Sequence, residues 1–356
     1  MRLKRIFSHA PDVDAIILMN AAKPHVDLSF FYATGLSSGV FEGCAAIVYP
    51  DHIHVITSAL EEESARKGDF DISVFSTREE RENLLKKELK ELKTIGVNAN
   101  EITYASYKAL KKVSQAEIKD VSDAITTARL TKDTNELSRI KKACEIISDV
   151  AEEIPMIVKK GMTELELAAE LTYSMQKKGA SQPGFSTLVC FGENASEPHH
   201  SSDDTVLKEG DFVLVDMGAE YKLYVSDITR TFVFGKADQK QKKMYETVLE
   251  SQKIALDMMK EGVEACDVHV TVKDFLDKEY KGRFIHGLGH SIGLSVHDGG
   301  RMNEESDTLL QEGMVFTVEP GVYIPGYGGV RIEDDVVITK EGVDILTTAG
   351  KDFTVI

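Results

Sequence analysis

DFVLVDMGAEYKLYVSDITRTFVFG, residues 211–235, sets two apolar runs on either side of a polar connection, a pattern that reads as a long β-hairpin. Side chains alternate faces along a strand, so Phe212, Leu214 and Asp216 share one side of the first run. Asp227 follows eleven positions later in the partner run, beside Ser226, Thr229 and Arg230. Alone, Asp216 reads equally well as an inward carboxylate bonded to nearby hydroxyls or amides. Two carboxylates on paired strands favour a metal.

Two stretches downstream carry matching chemistry. FIHGLGHSIGLSVHD, residues 284–298, offers His286, His290 and His297 among Gly287, Gly289 and Gly293. Glycines allow close backbone approach, and three histidines so placed suggest a site. MVFTVEPGVYIPGYGGVRIEDDVVIT, residues 314–339, ends an apolar strand at Glu319 and is expected to hold Glu333 in its next strand, with Arg331 on the same face. An Arg331–Glu333 ion pair is the structural alternative for that face. If these strands form one sheet, Asp216, Asp227, Glu319 and Glu333 bring four negative charges into one concave site. Unpaired, they would repel one another and be forced to protonate. Two divalent cations balance the charge, and neutral His290 completes an N/O ligand set. Such a set suits manganese, cobalt, iron or zinc better than a soft-metal site.

The rest of the chain frames this centre. At 356 residues it is long enough for two domains and needs no metal merely to fold. The formal net charge of -17, with no basic stripe, disfavours nucleic acid and anionic membranes as partners. Cys44, Cys144, Cys190 and Cys266 are far apart and form no CxxC pair, which argues for buried free thiols. No long apolar window and no leader-like N-terminus is present, so a cytoplasmic protein is expected. Residues 14–20, 44–50 and 52–58 read as strands and 79–92 as a surface helix, giving an α/β domain over residues 1–127. A second domain, 128–356, opens with helices expected at 134–159, capped by Asp133 or Thr134, and at 163–178. Strands follow, with one further helix near 239–261.

These motifs resemble the creatinase/prolidase/aminopeptidase P family of M24 metallopeptidases. The resemblance is carried by DMGAEYKLYVSDITRT, HGLGHSIGLSVHD and EPGVYIPGYGGVRIEDD, joined by NASEPHHS (194–201) and FFYATGL (30–36). It implies an α/β creatinase/prolidase-type N-terminal domain followed by an α+β pita-bread catalytic domain. It implies two divalent metal ions per subunit, manganese or cobalt first and iron or zinc after them, on Asp216, Asp227, His290, Glu319 and Glu333. Catalytic roles would fall to His199, His297 and Glu319, and substrate binding to His286, Arg301 and Arg331. Arg301 matches a position that in prolidases can hold the substrate carboxylate. The implied reaction is cleavage of the bond before proline in Xaa-Pro dipeptides by a homodimer. An Xaa-Pro aminopeptidase acting on longer peptides, and a non-catalytic peptide-binding module of the same fold, are the alternatives. Three departures from the family pattern stand out: Ser291 after the metal histidine, Asp298-Gly299-Gly300 after the last histidine, and Leu223 where the hairpin commonly has glycine.

Overall fold

The computed structural model describes residues 2–356 and divides into two compact units that part between Arg129 and Leu130. The first unit is built on a six-stranded mixed sheet in the order Asp71–Phe75, Ile53–Ser58, Ala45–Val48, Ala15–Met19, Thr94–Val97, Glu117–Asp120. The expected strands at 14–20, 44–50 and 52–58 are three of these. Ile17, Ala45, Ile47, Ile56 and Ile95 form its core with Leu85 and Leu89 from the Arg78–Glu88 helix region and Leu110 from Tyr104–Val113.

In the second unit, strand alternation creates two cores on opposite faces of one hairpin. Phe212 and Leu214 point to one side, where they join Met244, Val248, Val272, Leu276, Phe316 and Val330. Val213, Val215 and Met217 point to the other, against Ile147, Val150, Leu167 and Leu171. Burying apolar surface on both faces fixes register, because a one-residue slip would exchange the two sets. The helices on the second side are Thr134–Ala151 and Glu164–Lys177, each begun by a reciprocal capping box: Asp133 with Glu136, and Thr163 with Glu166. Asp133 is therefore the cap of the first.

On the first side the expected single helix is two. Gln239–Met258 packs on Ala265–Tyr280, a segment expected from its sequence to form strands. Its buried residues Val268, Val272 and Leu276 recur at helical spacing, but β-branched Val268, Val270, Thr271 and Val272 imitate a strand. The fold is thus an α/β unit followed by an α+β unit with helices layered on both faces of its strands. Among the described residues no helix is long and apolar enough to cross a membrane.

Candidate metal centre

Asp216 lies near the end of the strand Phe212–Met217, which pairs antiparallel with Ile228–Val233 so that Asp216 stands opposite Thr229. It continues the Phe212–Leu214 face beyond the apolar core. Asp227 immediately precedes the second strand, and its N–H donates to Asp335 Oδ2 at 2.8 Å. His290 ends the short strand Gly289–His290, paired with Arg301–Met302, and its N–H donates to Thr317 Oγ1 at 3.0 Å. A Cβ on Gly289 would stand 2.0 Å from the Thr317 carbonyl oxygen, so this close approach requires glycine. Glu319 directly follows the strand Val315–Val318 and is tied by its N–H to Leu288 O at 2.8 Å.

Glu333 departs from expectation. It sits between the strands Gly328–Arg331 and Asp334–Ile338, outside both. Those strands belong to different ladders, and the change of partner leaves Ile332 and Glu333 in the break. Thr229 holds Glu333 there: its carbonyl accepts the Glu333 N–H at 3.2 Å and its hydroxyl donates to Oε2 at 2.5 Å.

A cavity of ≈ 610 Å³ receives all these side chains: His199, Asp216, Asp227, His286, His290, His297, Arg301, Glu319, Arg331 and Glu333 all line it, with Phe185, Leu188, Pro198 and Val296 as apolar wall. His290 Nε2 lies 3.4 Å from Glu319 Oε1 and 3.7 Å from Asp227 Oδ2. One ligand atom each from Asp227, His290 and Glu333 fall within 4.8 Å of one another. Burial, reinforced by neighbouring carboxylates, holds the carboxyls of Asp227 and Glu333 well above their ordinary range. Burial also raises Glu319 to about 7, against the opposing pull of Arg331. His290 is pushed down to about 3 by burial and by His297, so its imidazole is neutral and able to coordinate.

This donor set fits divalent metal. Asp216 Oδ1 and Asp227 Oδ1 are buried and accept no hydrogen bond, although both aspartates line the cavity. Among the lining residues only Arg331 and Arg301 are cationic, against four carboxylates. Oxygen donors with one neutral imidazole are what harder transition-metal cations require.

The remaining residues divide by what they touch. Arg331 Nη2 donates to Asp216 Oδ2 at 2.7 Å, so the observed ion pair is with Asp216 in place of the Arg331–Glu333 pair. Arg331 also donates through Nε to Thr229 Oγ1 and through Nη1 to Tyr323 Oη, each at 3.0 Å. His286 Nδ1 is 2.7 Å from Gly287 O, a group that only accepts, so Nδ1 carries the proton. Burial pushes this ring down to about 3. The neutral Nε2 then accepts from Tyr323 Oη at 2.8 Å. Both nitrogens of His286 are thus engaged by protein. His297 stacks edge-on to His290 with ring centroids 4.3 Å apart. His199 and Arg301 are exposed at the rim.

The sequence does not mark Tyr323, Thr229 and Thr317 as site residues. Threonine and tyrosine suit any strand, so composition does not separate a site hydroxyl from a packing one. Only Thr229, two residues after Asp227, carried a positional hint.

Residues 138–340 match the model for metallopeptidase family M24, and residues 2–131 match the creatinase/prolidase N-terminal domain. The chain is 35% identical over 357 residues to an Xaa-Pro dipeptidase of Pyrococcus horikoshii, covering 99% of this chain and 98% of that one. Among solved structures it resembles an X-Pro aminopeptidase from Thermotoga maritima, with TM-score 0.93 and 32% identity over the whole of both chains. It equally resembles an Xaa-Pro dipeptidase from Bacillus anthracis, with TM-score 0.93 and 32% identity over 100% of this chain and 99% of that one. Matched through both of its units, the chain belongs to metallopeptidase family M24 and carries the creatinase/prolidase N-terminal domain ahead of its peptidase unit.

Proposed function

We propose that this peptidase hydrolyses the bond preceding proline in Xaa-Pro dipeptides. The observation that carries the reading is the convergence of four carboxylates and a neutral imidazole on one cavity, with buried aspartate oxygens that accept no hydrogen bond. Asp216, Asp227, His290, Glu319 and Glu333 would hold two divalent ions, with manganese or cobalt preferred over iron or zinc. When bound, such ions neutralise the carboxylates, polarise the scissile carbonyl and make a water nucleophilic near neutral pH.

The side chains divide the remaining work. Glu319, oriented by the Thr317 hydroxyl at 3.3 Å, moves a proton to the proline nitrogen as it leaves. His199 and His297 donate hydrogen bonds to the negative charge that develops on the carbonyl oxygen. His286 shapes the pocket with its ring, since both nitrogens are already used. Arg331 fixes Asp216, and Arg301 at the rim takes the carboxylate of a dipeptide. We further propose a cytoplasmic homodimer.

Hydrolysis of Met-Pro and of Ala-Pro-Ala, measured after chelation and after manganese or cobalt readdition, tests this reading. Metal-dependent cleavage of Met-Pro alone is expected. Release of alanine from Ala-Pro-Ala would move the chain to the aminopeptidase alternative, the activity named for the Thermotoga structure. Cleavage of neither would defeat both.

A further inference from the structure

His199 sits at the cavity rim on the segment between the strand Leu188–Phe191 and Asp203, and one buried side chain grips that segment on both sides of it. Glu164, the first residue of the helix Glu164–Lys177, is wholly buried. Its Oε1 accepts from the Phe191 N–H at 2.7 Å and from Asn194 Nδ2 at 2.9 Å. Its Oε2 accepts from His200 Nε2 at 2.8 Å and from the Asp203 N–H at 3.0 Å. Four donors fill the roughly four lone-pair positions a carboxylate offers. With Asp203 the residues Glu164 and His200 also form a ligand-like triad, but a carboxylate already saturated by N–H donors has nothing left for a cation.

The four contacts fall at 191, 194, 200 and 203, so Pro198 and His199 span the interval between anchors. Backbone bonds add to the grip: the Glu164 N–H donates to Thr205 O and the Leu165 N–H to Asp203 O. Thr163, capping the helix, keeps Glu164 at the helix start. We propose that Glu164 is a positioning residue for hydrolysis, holding the 191–203 segment through Phe191, Asn194, His200 and Asp203 so that His199 is presented to the scissile carbonyl. This rests on the role assigned to His199 above. Glutamine replaces it poorly, because in either orientation its amide NH₂ would face a fixed backbone N–H, of Phe191 or of Asp203, where a carboxylate oxygen accepted.

The test is a double-mutant cycle on the metal-loaded enzyme with Met-Pro, read as kcat, KM, bound metal and melting temperature. Misplacing a catalytic group by about 1 Å can cost roughly 100-fold, so Glu164→Gln is expected to lower kcat by about 10- to 100-fold. KM should change little, and bound metal should stay as in the parent. In a His199→Ala background the same change should cost less than about twofold, because its target is gone. Equal losses in both backgrounds, or loss of metal from Glu164→Gln, would overturn the proposal while leaving the role of His199 intact. Full kcat in His199→Ala would overturn that role, and the proposal with it. Should Glu164→Gln melt below assay temperature, the His200 variants decide. His200→Gln, whose amide can still donate to Glu164, should keep kcat, whereas His200→Ala should lose it with metal retained. Equal kcat in these two variants would count against the proposal.

Discussion

Arg331 Nη2 and Asp216 Oδ2 lie 2.7 Å apart, joining the end of the strand Gly328–Arg331 to the strand Phe212–Met217 inside the metal cavity. The guanidinium is almost fully buried and contributes one positive charge where four carboxylates converge. Breaking a buried ion pair by removing one partner costs about 3–5 kcal/mol. Arg331→Met should therefore lower the stability of the metal-free protein by roughly 3 kcal/mol. Urea unfolding with and without manganese checks this, and manganese should recover part of the loss by binding the folded state. An unchanged midpoint would show that the pair carries no net stability.

Asp227 lies at the centre of the carboxylate group, its side chain beside His290 and its N–H fixed by Asp335. Asp227→Ala should bind less metal than the parent after dialysis and lose nearly all turnover. Metal content by elemental analysis is the first readout. Full activity after exhaustive dialysis would remove Asp227 from the ligand set.

The metal-free protein should respond to pH with a definite sign. Glu319 is raised to about 7 in the folded state by burial, above the ordinary glutamate value, so folding binds its proton more tightly. That contribution is complete below the unfolded value and is lost as pH rises through about 7. Asp227 and Glu333, held well above their ordinary range by burial, act in the same direction. His286 and His290, lowered to about 3, act oppositely, but only as pH falls through the unfolded histidine range. Between about pH 6.5 and 8, above the unfolded histidine range and below that of the buried thiols, the carboxyls set the slope, and the chelated protein should melt at progressively lower temperature. Manganese should flatten that slope. A slope unaffected by metal would dissociate these groups from metal binding.

The hairpin tip offers a prediction independent of catalysis. Tyr221 pairs with Tyr224 across a two-residue loop, Lys222 and Leu223, whose φ angles are 49° and 72°. Two-residue loops with positive φ at both positions favour asparagine and glycine, and leucine is strained there. Leu223→Gly should stabilise the protein by about 0.5–1 kcal/mol, the strain relieved exceeding the added chain entropy. Thermal melting reads the change, and Met-Pro turnover should stay at the parent level. A lower melting temperature would mean that the packing of the half-buried Leu223 side chain outweighs its backbone strain.

Local sequence determined much of this molecule. The alternation in residues 211–235 predicted the hairpin and put Asp216 on the face of Phe212 and Leu214, because a strand's period of two leaves no other choice. Helix starts near 133 and 163 were legible from local pattern, with Asp133 and Thr134 both open as the first cap, and the capping boxes at Asp133 and Thr163 are contacts between residues three apart. The family resemblance carried by the motifs pointed to ten of the residues that line the cavity. Tertiary structure decided what depends on partners distant in the chain. The Ala265–Tyr280 helix is stabilised by packing that overrides its β-branched composition. Glu333 falls outside a strand because the chain changes ladders there. Arg331 pairs with Asp216, 115 residues away, in preference to the glutamate two positions on. Glu164 reaches a segment 27 to 39 residues further along. Sequence spacing fixes which side chains share a face, but which charges meet is set where separate strands converge and exclude water.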